Sequence, residues 1–70
     1  MKFTVVITKD PEDSGYNASV PALPGCYTFG ETPDEAYENS IEAIGAYLDS
    51  LEKEGDPIPV EVESREAVIG

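Results

Sequence analysis

Apolar and polar positions follow two different periods along this chain, and the change of period marks its elements. From residue 2 to residue 8 apolar side chains alternate, with Phe3, Val5 and Ile7 on one side and Thr4, Val6 and Thr8 on the other. A period of two with many β-branched residues predicts a strand. Asp10-Pro11-Glu12-Asp13-Ser14-Gly15 is dense in turn formers and short enough to close a hairpin. Tyr16, Ala18 and Val20 then alternate with Asn17 and Ser19 as a second strand, stopped by Pro21 and Pro24-Gly25. Cys26-Tyr27-Thr28-Phe29 reads as a third strand ending at Gly30.

The period lengthens at Thr32. Thr32-Pro33-Asp34-Glu35 has the composition of a capping box: a Thr N-cap, proline at the first helical position, and Glu at the third. The Thr hydroxyl is expected to accept from the Glu35 amide, and the Glu35 carboxylate to reach back to the Thr32 amide. Tyr37, Ile41, Ile44, Leu48 and Leu51 recur at helical spacing, widened on one side by Ala36, Ser40, Ala43 and Tyr47. Ile41, Ile44 and Leu48 are thereby predicted core residues. Gly55 is placed to end the helix in a left-handed cap, and Pro57 forbids its continuation. Ile58, Val60 and Val62 alternate with Pro59, Glu61 and Glu63, which predicts a last strand at a sheet edge. The expected fold is α+β, in the order β-β-β-α-β. It is a three-stranded antiparallel meander with one helix on one face, plus a fourth edge strand, in a single domain over residues 1–70. The end, Arg65-Glu66-Ala67-Val68-Ile69-Gly70, is either a frayed tail or an apolar strip that docks on a neighbour.

Length then changes the picture. Seventy residues bury a thin core, and chains this small usually add disulfides, a metal or association. Cys26 is the one cysteine and there is no histidine, so neither an internal disulfide nor a Cys/His zinc site is available. Association remains, and a homo-oligomer (dimer or tetramer) or a partner protein is expected. Four basic against fifteen acidic residues give a formal charge of −11. That surface repels phosphates and anionic membranes, so neither nucleic acid nor membrane is an expected direct partner. A basic surface is the complement, although charge alone serves solubility equally well. Residues 2–8 are too short and too polar for a signal peptide, and no apolar run approaches a membrane span, which suits the cytoplasm.

Catalytic chemistry is poorly supplied. Without histidine there is no imidazole base and no Ser-His or Cys-His pair. The glycines never approach the spacing of a phosphate loop. A carboxylate-held Mg²⁺ of a residual nuclease is disfavoured because the cationic clamps that accompany such sites are scarce. Cys26 has no cation beside it in sequence and is expected to pack as a small hydrophobe. No cofactor, metal or catalytic residue is therefore expected. The tyrosines are expected as core or boundary residues, with Tyr27, beside the loop, the best anchor for a partner. Asp34, Glu35, Glu38, Glu42, Asp49 and Glu52 crowd the helix's outer face at a small cost in helix stability. Binding another protein is the activity these residues suit.

The run from Gly15 to Ala36, with Pro21-Ala22-Leu23-Pro24-Gly25-Cys26, a short strand, Gly30-Glu31-Thr32, and Glu35-Ala36 opening the helix, resembles the HicB-like antitoxin family, as a UPF0150-type small domain. With the helix and last strand, the resemblance spans about residues 2–63. It implies a fold like a truncated ribonuclease H core without that enzyme's carboxylate set. It also implies a partner: a small basic HicA-type toxin that cleaves messenger RNA and whose active surface the antitoxin masks. Family members commonly continue into a DNA-binding segment, whereas this sequence stops soon after the last predicted strand, so direct operator binding is not expected. Ala22 stands where the family is often acidic. The expected partner-facing residues are Pro21, Leu23, Pro24 and Tyr27 of the loop, and Glu38, Glu42 and Asp49 of the helix. An orphan homo-oligomeric adaptor or dimerisation domain without a toxin is the alternative.

Overall fold

The alternation near the N-terminus carries through into the computed structural model, which describes residues 2–60, 65 and 67–69. Phe3, Val5 and Ile7 are half-buried while Lys2, Thr4, Val6 and Thr8 are exposed. Strand pairing begins later than the pattern, at Val6. β1 (Val6–Lys9), β2 (Tyr16–Ser19) and β3 (Tyr27–Gly30) form one antiparallel sheet in the order β1-β2-β3. The register places Ile7, Ala18 and Thr28 in one row across the sheet. Because side chains alternate between faces, the neighbouring rows Val6–Ser19–Tyr27 and Thr8–Asn17–Phe29 stand on the opposite face.

The helix α1 (Pro33–Glu54) starts and ends where its sequence signals lie. Thr32 Oγ1 accepts from the Glu35 amide at 3.0 Å. The return arm of the box differs from expectation: Glu35 Oε1 accepts from the Glu31 amide at 3.2 Å, one residue earlier than the Thr32 amide. At the other end Gly55 adopts φ 73°, a left-handed conformation that glycine enters without steric cost. The Gly55 amide donates to Glu52 O and the Asp56 amide to Leu51 O, which satisfies carbonyls the helix leaves open.

Helix and sheet meet through small residues at one end and large ones at the other. A methyl group on Gly30 would run into the backbone of Ala36, so only glycine lets the first turn lie this close. Ala18, Ala36 and Ser40 are buried around that approach, and Ser40 Oγ donates to Tyr37 O at 2.6 Å. Farther along the helix, Val20, Leu23 and Cys26 form the buried core. Phe3, Val5, Ala43, Ile44, Tyr47 and Leu48 pack against it.

One expectation is corrected here. Ile41, expected in the core, is 51% exposed, and Tyr37 is 48% exposed. The close contact at Gly30 turns Ala36 and Ser40 toward the sheet, and a residue one position on lies roughly 100° around the helix. Tyr37 and Ile41 therefore sit on its flank, while Ile44 and Leu48 pack as expected. The predicted fourth strand falls partly on residues that the structure does not describe. Ile58–Val60 carries no strand pairing, and Glu61, Val62 and Glu63 lie outside the described residues.

Candidate partner-binding surface

The loop between β2 and β3 folds on itself. The Leu23 amide donates to Val20 O at 2.9 Å, the Cys26 amide to Leu23 O at 3.0 Å, and the Val20 amide to Cys26 O at 3.2 Å. Gly25, at φ 81°, supplies the reversal that side-chain-bearing residues resist. Apolar side chains then divide. Leu23 is 1% exposed and belongs to the core, so it offers no contact to a partner. Pro21 and Pro24 face outward. Tyr47 Oη donates to Pro24 O at 3.0 Å and ties the loop to the helix.

Tyr27, where the loop becomes β3, is 75% exposed. Phe29 lies two residues on, hence on the same face, and is also exposed, as is Val6 two strands away. Among the described residues no helix covers this face. Phe29 packs over Gly15, where a β-carbon would collide with its ring.

Glu38, Glu42 and Asp49 are all exposed on α1. Asp49 pairs with Lys53 at 3.3 Å, a largely solvated ion pair. Glu42 has a different setting. With Thr28, Phe29, Asn39, Ala43 and Ala46 it lines a groove of about 400 Å³ between the helix and the outer edge of β3. Asn39 Nδ2, which also lines this groove, donates to Phe29 O at 2.8 Å. The structure thus brings Glu42 beside the strand that carries Tyr27. Phe29 and Asn39 were absent from the expected set. Phe29 shares Tyr27's strand parity, which could have flagged it, whereas Asn39 had no sequence signal.

A second groove, of about 370 Å³, lies on the other flank of the helix between Lys2, Phe3, Val5, Tyr37, Ile41 and Ile44. Its lining is mostly apolar, with Lys2 and the Tyr37 hydroxyl as its polar side-chain groups. Cys26 is buried, and desolvation pushes its thiol pKa up, away from the thiolate a nucleophile requires. Among the described residues no three His, Cys, Asp or Glu side chains are grouped as metal ligands would be, and no helix is long and apolar enough to cross a membrane.

Residues 3–69 match the family model described as the HicB-like antitoxin of bacterial toxin-antitoxin systems. A UPF0150 protein of Thermoplasma acidophilum is 58% identical over 59 residues, which is 84% of each chain. A UPF0150 protein of Archaeoglobus fulgidus is 45% identical over 64 residues, covering 89% of this chain and 91% of its own. Among solved structures, the N-terminal domain of the Burkholderia pseudomallei antitoxin HicB superposes with a TM-score of 0.78 at 33% identity. That match covers 91% of this chain and 74% of the other.

Proposed function

Because the chain belongs to the HicB-like antitoxin family of bacterial toxin-antitoxin systems, we propose that it neutralises a small basic HicA-type toxin by covering the surface with which that toxin grips RNA. The protein acts by binding and performs no catalytic step. The observation that carries this reading is the pairing of an outward-facing loop and strand, Pro21, Pro24 and Tyr27, with exposed helix carboxylates at Glu38, Glu42 and Asp49. On a chain of formal charge −11 these carboxylates attract a protein built to hold phosphates, and they speed its encounter more than they hold it. Tyr27 supplies the aromatic area that anchors an interface.

Two finer features belong to the same proposal. A fourth strand from Ile58 to Val62, completing a ribonuclease H-like frame, would lie along the outer edge of β1. The apolar groove beside Phe3, Val5, Tyr37 and Ile41 supports it, since Ile58 and Val60 are exposed and apolar at alternate positions. A homo-oligomer, the second reading, would cover that same groove with another copy and require no toxin. The tagged protein is therefore purified from the native lysate and its bound proteins are sequenced. Recovery of a small basic toxin-class protein supports the antitoxin reading, and recovery of the protein alone transfers it to the oligomeric adaptor. With the toxin in hand, Glu38→Lys with Glu42→Lys weakens binding about tenfold or more at low salt, and the difference shrinks as salt screens the charges. Equal affinity for both proteins at all salt concentrations rejects the charge-guided interface.

A further inference from the structure

We infer that the outer edge of β3, together with the Glu42 groove, receives an extended cationic segment of the partner as an added strand. In an antiparallel ladder, residues bond alternately toward one neighbour and then the other. Cys26 O points to β2, where it accepts from the Val20 amide, so Tyr27 and Phe29 direct their backbone groups outward. Phe29 O confirms this, since it accepts from Asn39 Nδ2 on the outer side. No strand among the described residues pairs with this edge. Asn39 occupies one acceptor of this edge, but the strand itself lacks the deterrents of sequence. Tyr27–Gly30 contains no lysine, proline or charge, whereas the opposite edge strand carries Lys9.

The occupant's chemistry follows from the two sides of the edge. Side chains of an added strand alternate: one set faces the helix, the other the open face. On the helix side they meet Glu42 and Asn39, with Glu35 and Asp49 one heptad to either side along the helix, roughly 10 Å apart. Glu35 is engaged by the Glu31 amide and Asp49 by Lys53, which leaves Glu42 as the carboxylate facing the groove. On the other side they meet Tyr27 and Phe29, both exposed. A segment alternating Lys or Arg with apolar residues satisfies both. A second copy of this chain would satisfy the backbone but bring another formal charge of −11, and its own β3 has no cation to place opposite Glu42.

This inference rests on the basic partner proposed above, but it is tested without one. The full-length protein is titrated with the peptide (Lys-Val)4, with (Glu-Val)4 as control, and followed by amide resonances and hydrogen exchange. Saturable binding of the Lys peptide is expected, with slowed exchange at the Tyr27 and Phe29 amides. Glu42→Lys weakens it about tenfold, while Glu12→Lys, the same charge change in the β1–β2 turn, alters it less than about twofold. Tyr27→Pro removes the outward amide without touching the ladder to β2 and lowers affinity further than Tyr27→Phe. Protection confined to Ile7 or Lys9, shifts confined to helix carboxylates, equal binding of the Glu peptide, or self-association through β3 each overturns the inference. If the peptide binds at β3 but no basic protein is recovered from lysate, the docking edge stands and the toxin reading fails. If a toxin binds while the Tyr27 and Phe29 amides stay unprotected, the toxin reading stands and the edge fails.

Discussion

The two loops of the sheet are nearly equal in length and opposite in construction. Between β1 and β2, residues 10–15 are tied by a carboxylate: Asp10 Oδ1 accepts from the Glu12 amide at 2.9 Å and the Asp13 amide at 3.1 Å, and Asp10 Oδ2 from Asn17 Nδ2 at 3.2 Å. All of these bonds are at or near the surface. Between β2 and β3, residues 20–26 are tied by their own backbone, and the loop drives Leu23 and Cys26 into the core. The first loop closes a hairpin. The second is part of the core and, through Pro21, Pro24 and Tyr27, part of the proposed binding surface. In a chain too small for a deep interior, a loop can hold the partner-facing residues still because its other side chains are the core.

Leu23→Ala breaks this comparison most severely. Deleting a fully buried leucine costs about 3 kcal/mol, comparable to the ~3–5 kcal/mol that a core of this size supplies. Urea denaturation followed by circular dichroism is expected to show a protein close to unfolded before denaturant is added. A loss below about 1 kcal/mol would mean the loop is a covering and not a core element. Tyr47→Phe is gentler. It removes the 3.0 Å bond to Pro24 O, worth about 1 kcal/mol or less at a half-exposed site. Exchange of the Leu23 and Cys26 amides should quicken while the β1–β2 turn is unchanged. If partner affinity falls more than stability does, the bond's main service is to hold the loop for docking.

The legibility of these features in the sequence follows from how local their causes are. The helix limits were readable because the Thr32 cap and the Gly55 terminus act within a few residues of themselves. The meander was readable from alternation, although the alternation starts at Phe3 and the strand β1 at Val6. Helix rotation was not readable. It depends on how closely Gly30 admits Ala36, a contact between two elements, and Ile41 was misplaced for that reason. In the sequence Leu23 reads as partner-facing because it sits between prolines in a loop, where hydrophobicity alone does not distinguish a plug from an anchor. The resemblance pointed to a toxin partner but not to the β3 edge, whose exposure depends on which strand lies outermost.

The smallest effect lies in the other loop, and it depends on pH. Hydrogen bonds hold the Asp10 carboxylate below its ordinary pKa of 3.8, the amide of Glu12 foremost and then the Asn17 side chain, against an opposing desolvation and with a smaller contribution from the Asp13 amide. A folded-state pKa below the unfolded value means that the folded form binds its proton less readily. The stabilisation is present in full above the unfolded value of 3.8 and is lost as pH falls through the lower folded value. Stability measured from pH 6 downward should therefore decline in the acid range partly through Asp10. Asp10→Asn should flatten that part of the decline and slightly lower the plateau above it, because an amide oxygen accepts more weakly than a carboxylate. Since the turn lies at the surface and away from the β2–β3 loop, the change should leave the Leu23 and Cys26 amides as protected as before. If Asp10→Asn instead loosened those amides, the two loops would be coupled through Asn17 and β2, and the contrast between a surface closure and a core loop would not hold.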